Sequence, residues 1–312
     1  MADSLCFVTG AHIDLTARIF APAVLHASNP GTVTARPGGA GLNSASTAAS
    51  LGASAVMASP VGPDAHGENL RQTLTARGIA DALVTVEGLR TGTYTAIIEP
   101  DGSMLIGLAD LAIYESIDAN WFFKNCATAL ETSGLWFLNA NLPAETLAAL
   151  VGQAEGRKIA AATISPAKAP RLAPILRQTD FLFTNAGEAR ALTGLKNAAP
   201  AELARSLAAS GVRSGTISSG AGPLLWWHGR DAGIITPPPV DGIVDVNGAG
   251  DALAATILAG LDLGLDFRRA AELGVHAAQM TLASAEPWCE NLSWSALEIR
   301  AGRLPALMEP LT

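Results

Sequence analysis

The sequence predicts an α/β fold, with a mostly parallel central sheet between two layers of helices and a small extra β element. Three observations predict it. Apolar β-rich runs alternate with Ala/Leu-rich amphipathic runs over most of the 312 residues, which is the pattern of repeated β–α–β units. Two stretches, about residues 12–36 and 91–110, are β-rich with no helix between their runs and break the alternation. Hydrophobic residues make up 49% of the chain and charged residues 15%, a globular composition. With no internal repeat and no clear linker, residues 1–312 read as a single domain.

The elements follow in order. "SLCFVTGAHIDL" is a buried first strand ending at Gly10, and "GTVTARPGG" a short alternating strand. The chain then turns through Pro37, Gly38 and Gly39 into a helix with Asn43 or Ser44 as the expected cap and Gly52 as the stop. "SAVMASPVG" is a strand and "HGENLRQTLTARGI" a helix. "TGTYTAIIEPDGSMLIGL" is a hairpin around Pro100-Asp101-Gly102. From there "SGLWFLNA", "KIAAATIS", "DFLFTN" and "SGTISSG" are strands, with "AETLAALVGQAEG", "AGEARALTG" and "PAELARSLAASG" as helices. "GPLLWWHG" and "DAGIITPP" form a second hairpin, and helices fill the remainder after Gly248.

Net charge of −8 argues against nucleic acid or an anionic membrane as partner. Cys6, Cys126 and Cys289 are far apart and form no CxxC, so neither a disulfide framework nor a zinc site is expected, which suits a reducing cytoplasm. The N-terminus lacks a basic segment followed by an apolar run, and no uninterrupted apolar stretch is long enough to span a bilayer.

Ligands of open α/β sheets bind outside the carboxyl ends of the strands. Asp14, Asn139, Asn141, Ser165, Asn185, Ser218 and Asp251 are expected there. The most pointed stretch is "VDVNGAGDALAATILAGL". Gly248, Ala249 and Gly250 leave bare N–H groups at a helix mouth, where the dipole favours an anion. Asp251 follows, placed where the dipole favours its ionised form. A carboxylate beside an anion hole is repulsive unless a hydroxyl lies between them, as in phosphoryl transfer. Taken alone, the stretch also fits an ordinary Gly turn with a first-turn Asp. It is neither a Walker A loop nor GxGxxG.

A second motif decides between these readings. "PGGAGLNSASTAASLGA", from Pro37, resembles the first signature of the ribokinase, or PfkB carbohydrate-kinase, family. "DVNGAGDALAATILAGL" resembles the second, and "TNAGEA" resembles the family's Asn-x-x-Glu motif between them. The resemblance covers essentially the whole chain. "SNPGTVTARPGGAGLN", "GLADLAIYESI", "FLNANLPAETL" and "ISPAK" resemble the pseudouridine-kinase branch.

The resemblance implies a ribokinase-like α/β/α sandwich in which 12–36 and 91–110 form a lid over the acceptor. It implies Asp251 as the base for a 5′-hydroxyl, with the backbone of Gly248, Ala249 and Gly250 as the anion hole. Asp14, Gly38, Gly39 and Asn43 match sugar contacts. Asn139 and Asn141 fall in the acceptor site, and Asp110 and Lys168 are where a base ring would be recognised. Asn185, Ser218, Gly220 and His276, with Gly248 and Gly250, match the ATP site. Glu188 matches the residue that organises Mg²⁺ through water, and Asp245 lies where relatives hold a monovalent cation such as K⁺. The implied ligands are ATP and a small nucleoside or sugar, and the implied assembly is a homodimer joined through the lid.

The chain also departs from the pattern. Ala162-Thr163-Ile164-Ser165 replaces Asp-Pro-Val-Ser, Asn139 stands where an acid is common, Pro223 replaces a glycine of the nucleotide loop, and His12 replaces an Asn. These leave open a kinase for uridine, adenosine or ribose, or a non-catalytic sensor on the same fold. A Rossmann dehydrogenase is disfavoured because no early GxGxxG is followed by an acidic residue.

Overall fold

The computed structural model describes residues 4–240 and 242–302. Its strands are β1 (Ser4–Val8), β2 (His12–Ile19), β3 (Gly31–Gly38), β4 (Ala55–Val61), β5 (Ala80–Thr85), β6 (Thr93–Ile98), β7 (Met104–Asp110), β8 (Ser133–Asn139), β9 (Lys158–Ala162), β10 (Phe181–Asn185), β11 (Ser214–Ser218), β12 (Leu224–His228) and β13 (Asp231–Ile235). Its helices are α1 (Ala40–Ser50), α2 (Ala65–Ala76), α3 (Ala112–Glu115), α4 (Ala119–Asn125), α5 (Ala127–Glu131), α6 (Ala144–Gly152), α7 (Ala186–Thr193), α8 (Pro200–Ala209), α9 (Ala249–Asp262), α10 (Phe267–Leu282) and α11 (Trp294–Ala301).

Nine strands form the large sheet in the order β13-β12-β11-β10-β9-β8-β1-β4-β5. All its pairings are parallel except those of the hairpin β12–β13, which is antiparallel internally and to β11. Alternate side chains of each strand enter opposite core layers, as the two-residue period requires. Leu5 and Phe7 of β1 join Leu42, Leu70, Leu253 and Ile257 on one face. Cys6 and Val8 join Phe122, Leu147, Leu172 and Leu203 on the other. The strand order reverses at β1: β4 and β5 continue to one side, β8 to β13 to the other. Such a reversal opens a crevice above the carboxyl ends of β1 and β8.

The two stretches that broke the alternation pair with each other. They make a four-stranded sheet of order β3-β2-β6-β7, separate from the large one. β6 and β7 form the expected hairpin around Pro100-Asp101-Gly102. Asp14 therefore sits inside β2 of the small sheet rather than at the end of a large-sheet strand. The first strand stops at Val8, two residues earlier than expected, and His12 already begins β2.

The cap of α1 also differs from expectation. The helix starts at Ala40 with Gly39 as N-cap, at φ 94, and no side chain caps it. Asn43 and Ser44 are inside its first turns, which frees the Asn43 amide for another partner.

Candidate active site

α9 begins where the sequence placed it. Gly248 is its N-cap in the left-handed region at φ 79, and a Cβ there would sit 2.0 Å from the Pro287 carbonyl oxygen. Only glycine fits this position. No side chain caps the helix, so the first-turn N–H groups have no intrahelical acceptor. A Cβ on Gly250 would meet nothing within 4 Å. The backbone is bare toward open space, with donors and dipole aimed at it, and that is an anion site.

Asp251 is the third residue of this helix. Its Oδ2 accepts a 2.9 Å hydrogen bond from Asn43 Nδ2 on α1. This bond joins the two glycine-started helices across 208 residues of sequence. The surrounding protein pushes the carboxyl pKa up to about 7. Burial is the largest cause, the Asn43 bond opposes it, and the charges of Asp14 and Glu188 add to it. The expectation of a fully ionised carboxylate is thus corrected: crowding outweighs the favourable helix end. Part of the residue's surface stays open, so a ligand can reach it. Near pH 7 the group is divided between acid and base forms, which suits proton transfer.

Gly38 and Gly39 bring the small sheet over this point. A Cβ on Gly38 would lie 2.0 Å from Asp14 Oδ2, so glycine is what lets that carboxylate lie on the backbone. The charge of Asp14 reaches Asp251 and helps raise its pKa.

On the other flank, Asn185 and Ser218 are register partners at the ends of β10 and β11. Asn185 caps α7. Its Oδ1 accepts from Glu188 N at 2.9 Å, and Glu188 Oε2 accepts from Asn185 N at 3.1 Å, a reciprocal capping box. The Thr163 hydroxyl donates to the same Glu188 oxygen.

Residues 5–287 match the pfkB family carbohydrate kinase domain. The chain belongs to the PfkB carbohydrate-kinase family. Members of this family are phosphotransferases with alcohol acceptors. The pseudouridine kinase of Escherichia coli is 24% identical over 285 residues, covering 90% of this chain and 91% of the relative. The 1-phosphofructokinase of Rhodobacter capsulatus is 31% identical over 252 residues, covering 76% of each. Among solved structures, a carbohydrate kinase from Agrobacterium tumefaciens superposes with a TM-score of 0.86 at 34% identity, covering 97% of this chain and 98% of that one. A ribokinase from Arabidopsis thaliana in complex with ribose and ATP superposes with a TM-score of 0.82 at 18% identity, covering 98% and 100%. The ribokinase-like fold is therefore shown along the chain.

In this PfkB chain the remaining expected residues have the following surroundings. Asn139 ends β8, fully buried, and its Oδ1 accepts from Asn141 N at 3.1 Å. Its Nδ2 has no partner. Asn141 Oδ1 accepts from Lys168 Nζ at 2.6 Å. Burial and the neighbouring Arg171 lower the Lys168 pKa. Asp110 ends β7 on the small sheet, exposed, in one register row with Thr93 and Ile13. No hydrogen bond or ion pair links it to Lys168 among the described residues.

Gly220 takes φ 61 in the loop after Ser218, open to solvent. His276 of α10 is 2% exposed, with neither ring nitrogen partnered. Gln279 lies close enough to favour its protonated form, but burial prevails and lowers its pKa. The Gln279 amide goes instead to Pro238 O at 2.6 Å. Asp245 Oδ1 accepts from Asn247 N at 2.9 Å in a tight turn, and among the described residues no cluster of three or more His, Cys, Asp or Glu surrounds it.

Three residues that the sequence analysis assigns no role hold parts of this region in place. Tyr114 of α3 reaches Ala11 and His12. Thr163 secures Glu188. Arg36 of β3 donates to Ala285 O beside the Pro287 that backs Gly248. The described residues contain no helix long and apolar enough to cross a membrane.

Proposed function

We propose that this PfkB kinase transfers the γ-phosphoryl group of ATP to the 5′-hydroxyl of pseudouridine. The observation that carries the kinase reading is the Asp251 carboxyl, tied to Asn43 and set directly beside an uncapped, bare glycine turn. In our reading Asp251 takes the proton of the acceptor hydroxyl while that oxygen bonds to phosphorus and the bond to the ADP oxygen breaks. The N–H groups from Ala249 onward hold the charge on the moving phosphoryl. Asp14, Gly38, Gly39 and Asn43 hold the sugar hydroxyls, with carboxylate and amide supplying acceptors and a donor. Asn139, Asn141, Lys168 and Asp110 ring the remainder of the acceptor.

Asn185, Ser218, Gly220 and His276 line the nucleotide side. Glu188 fits a role toward Mg²⁺, since two donors fix one of its oxygens and leave its charge at the strand ends. Bound Mg²⁺ would supply charge neutralisation between the phosphates. Asp245 is the side chain we assign to a monovalent cation such as K⁺.

The small sheet acts as a lid in this reading, excluding water that would otherwise accept the phosphoryl. Both faces of β7 are open, with Met104, Ile106 and Leu108 more than half exposed. A second copy of the chain covers them, giving a homodimer through the lid. The cysteines are unpaired, and we place the enzyme in the cytoplasm.

A second reading keeps the mechanism and changes the acceptor to uridine, adenosine or ribose. The Ala162-Thr163-Ile164-Ser165 departure from the pseudouridine-kinase pattern favours it. ADP release from ATP·Mg²⁺ with pseudouridine, uridine, adenosine and ribose at equal concentration separates the two. A strong preference for pseudouridine supports the first. Turnover with only another acceptor replaces the substrate and keeps Asp251. Ligand-dependent thermal stabilisation without turnover points to a sensor.

A further inference from the structure

His12 stands where the family pattern has an asparagine, and the fold has been shaped around its ring. The residue is buried, with its side chain 9% exposed. Its Nε2 lies 3.3 Å from Asp14 Oδ1. Its Nδ1 lies 3.4 Å from the Tyr114 hydroxyl. Tyr114 is fully buried and donates its single proton to Ala11 O at 2.8 Å, so toward His12 that oxygen can only accept. The ring is framed by an acceptor on each side.

Three glycines clear the space for this row of side chains. A Cβ on Gly10 would lie 2.4 Å from the Tyr114 ring, one on Gly39 2.9 Å from the His12 ring, and one on Gly38 2.0 Å from Asp14 Oδ2. Gly38 and Gly39 are the residues whose bareness the family pattern attributes to the acceptor. Here they also seat His12 and Asp14. Asp14 has one oxygen in close contact with His12 Nε2, at 3.3 Å, and its side chain is 34% exposed. Burial raises the Tyr114 phenol pKa, and the charge of Asp14 adds to it.

We propose that His12 is a positioning residue for acceptor binding: it ties Oδ1 of Asp14 and so aims Oδ2 at the hydroxyls of the bound sugar, while Tyr114 holds His12 in place. The proposal rests on Asp14 as the acceptor contact. His12 acts through Asp14 and on binding, not on the phosphoryl step. The rim of the cleft is built from groups on two elements, β2 and α3, so the row also fixes the small sheet against the large domain at the point where the acceptor sits.

The test is a double-mutant cycle on acceptor affinity, read by calorimetry with pseudouridine, uridine and ribose in the absence of ATP. His12→Ala is expected to weaken binding by about tenfold, the scale of one hydrogen bond to a charged group. Asp14→Ala weakens it at least as much. In the Asp14→Ala background, His12→Ala has no further effect, because its target is gone. ATP affinity stays unchanged in all variants, and KM for the acceptor rises with little change in kcat. Tyr114→Phe keeps every ring and removes only the hydroxyl. It is expected to weaken acceptor binding by about threefold and serves if His12→Ala does not fold. Equal acceptor affinity in wild type and Tyr114→Phe or His12→Ala overturns the proposal. So does an additive cycle, which means His12 touches the acceptor itself or acts on the fold at large. A wild-type protein that binds none of the three acceptors overturns Asp14 as the acceptor contact, and the role of His12 with it.

Discussion

Replacing Asp251 by asparagine should remove catalysis and stabilise the protein at the same time. The amide keeps the shape of the carboxyl and can still accept from Asn43, so the fold is preserved. What it cannot do is take a proton. A positioned general base contributes about 10²–10⁴ in rate, and a loose phosphoryl transition state asks for the lower part of that range. We expect kcat to fall by about 10²–10³, or about 3–4 kcal/mol of barrier, with ATP and acceptor affinities kept within a few-fold. The stability effect follows from the same shift. The folded chain holds this carboxyl at about 7, against 3.8 for an ordinary aspartate. The folded state therefore binds the proton more tightly, and the stability this contributes is complete below 3.8 and lost as pH rises through 7. At pH 8 the wild type carries a buried charge that Asp251→Asn lacks. Allowing for screening where the residue is partly open, the variant should be more stable by about 2–4 kcal/mol. That is about 3–6 °C in Tm for a chain of this size. At pH 4 the difference should shrink toward zero. The assays are steady-state ADP release and thermal unfolding at both pH values. A variant with kcat within tenfold of wild type refutes the base assignment. A variant with no Tm gain at pH 8 refutes the burial argument.

The same group sets the pH–rate profile. Wild-type kcat should level off above pH 7 and fall about tenfold per unit below it, as the base form of Asp251 is lost. Asn43→Ala deletes the one hydrogen bond that favours the ionised form, so the falling limb should move to higher pH by about one unit, as read from kcat between pH 5 and 9. Gly250→Ala places a methyl in open space and improves helix propensity by about 1 kcal/mol. It should fold at least as well as wild type yet lose most turnover, whereas Gly248→Ala meets Pro287 O and a positive φ and should lose more than about 2 kcal/mol in denaturant unfolding. Glu188→Gln can keep the capping box through its amide oxygen. Its Tm should stay close to wild type while the Mg²⁺ concentration needed for half-maximal turnover rises several-fold.

The features legible in the sequence were those with a local physical signature. The glycine turn before α9, the Asn185–Glu188 pair and the Pro100-Asp101-Gly102 hairpin each announce themselves by residues that few other backbones need. The β-only stretches could be assigned to a separate sheet because their period excluded helices. What escaped depended on partners far away in sequence. Asn43 looked like a cap because it opens an Ala-rich helix, but Gly39 is already the N-cap, with a positive φ, and the amide turns to Asp251 instead. The ionisation of Asp251 could not be read from a helix start alone, since its shift comes from burial under α1 and from Asp14 and Glu188. β5 is short and weakly apolar. Residues Ala169–Gln178 form a 3-10 helix, and Pro174 inside it interrupts any α-helical pattern that the sequence could have shown. Tyr114 lies inside the quoted "GLADLAIYESI" segment, but its partners Ala11 and His12 are about a hundred residues away in sequence and only the fold brings them to it.

The measurement that tests the central claim most directly is product identification. Purified protein is incubated with ATP·Mg²⁺ and pseudouridine, and the product is resolved by phosphorus NMR and mass spectrometry. The account predicts one equivalent of a monophosphate ester on the 5′-oxygen, formed with ADP and absent with Asp251→Asn. Phosphate ester at any other position, or ADP formed together with free phosphate and no ester, contradicts it.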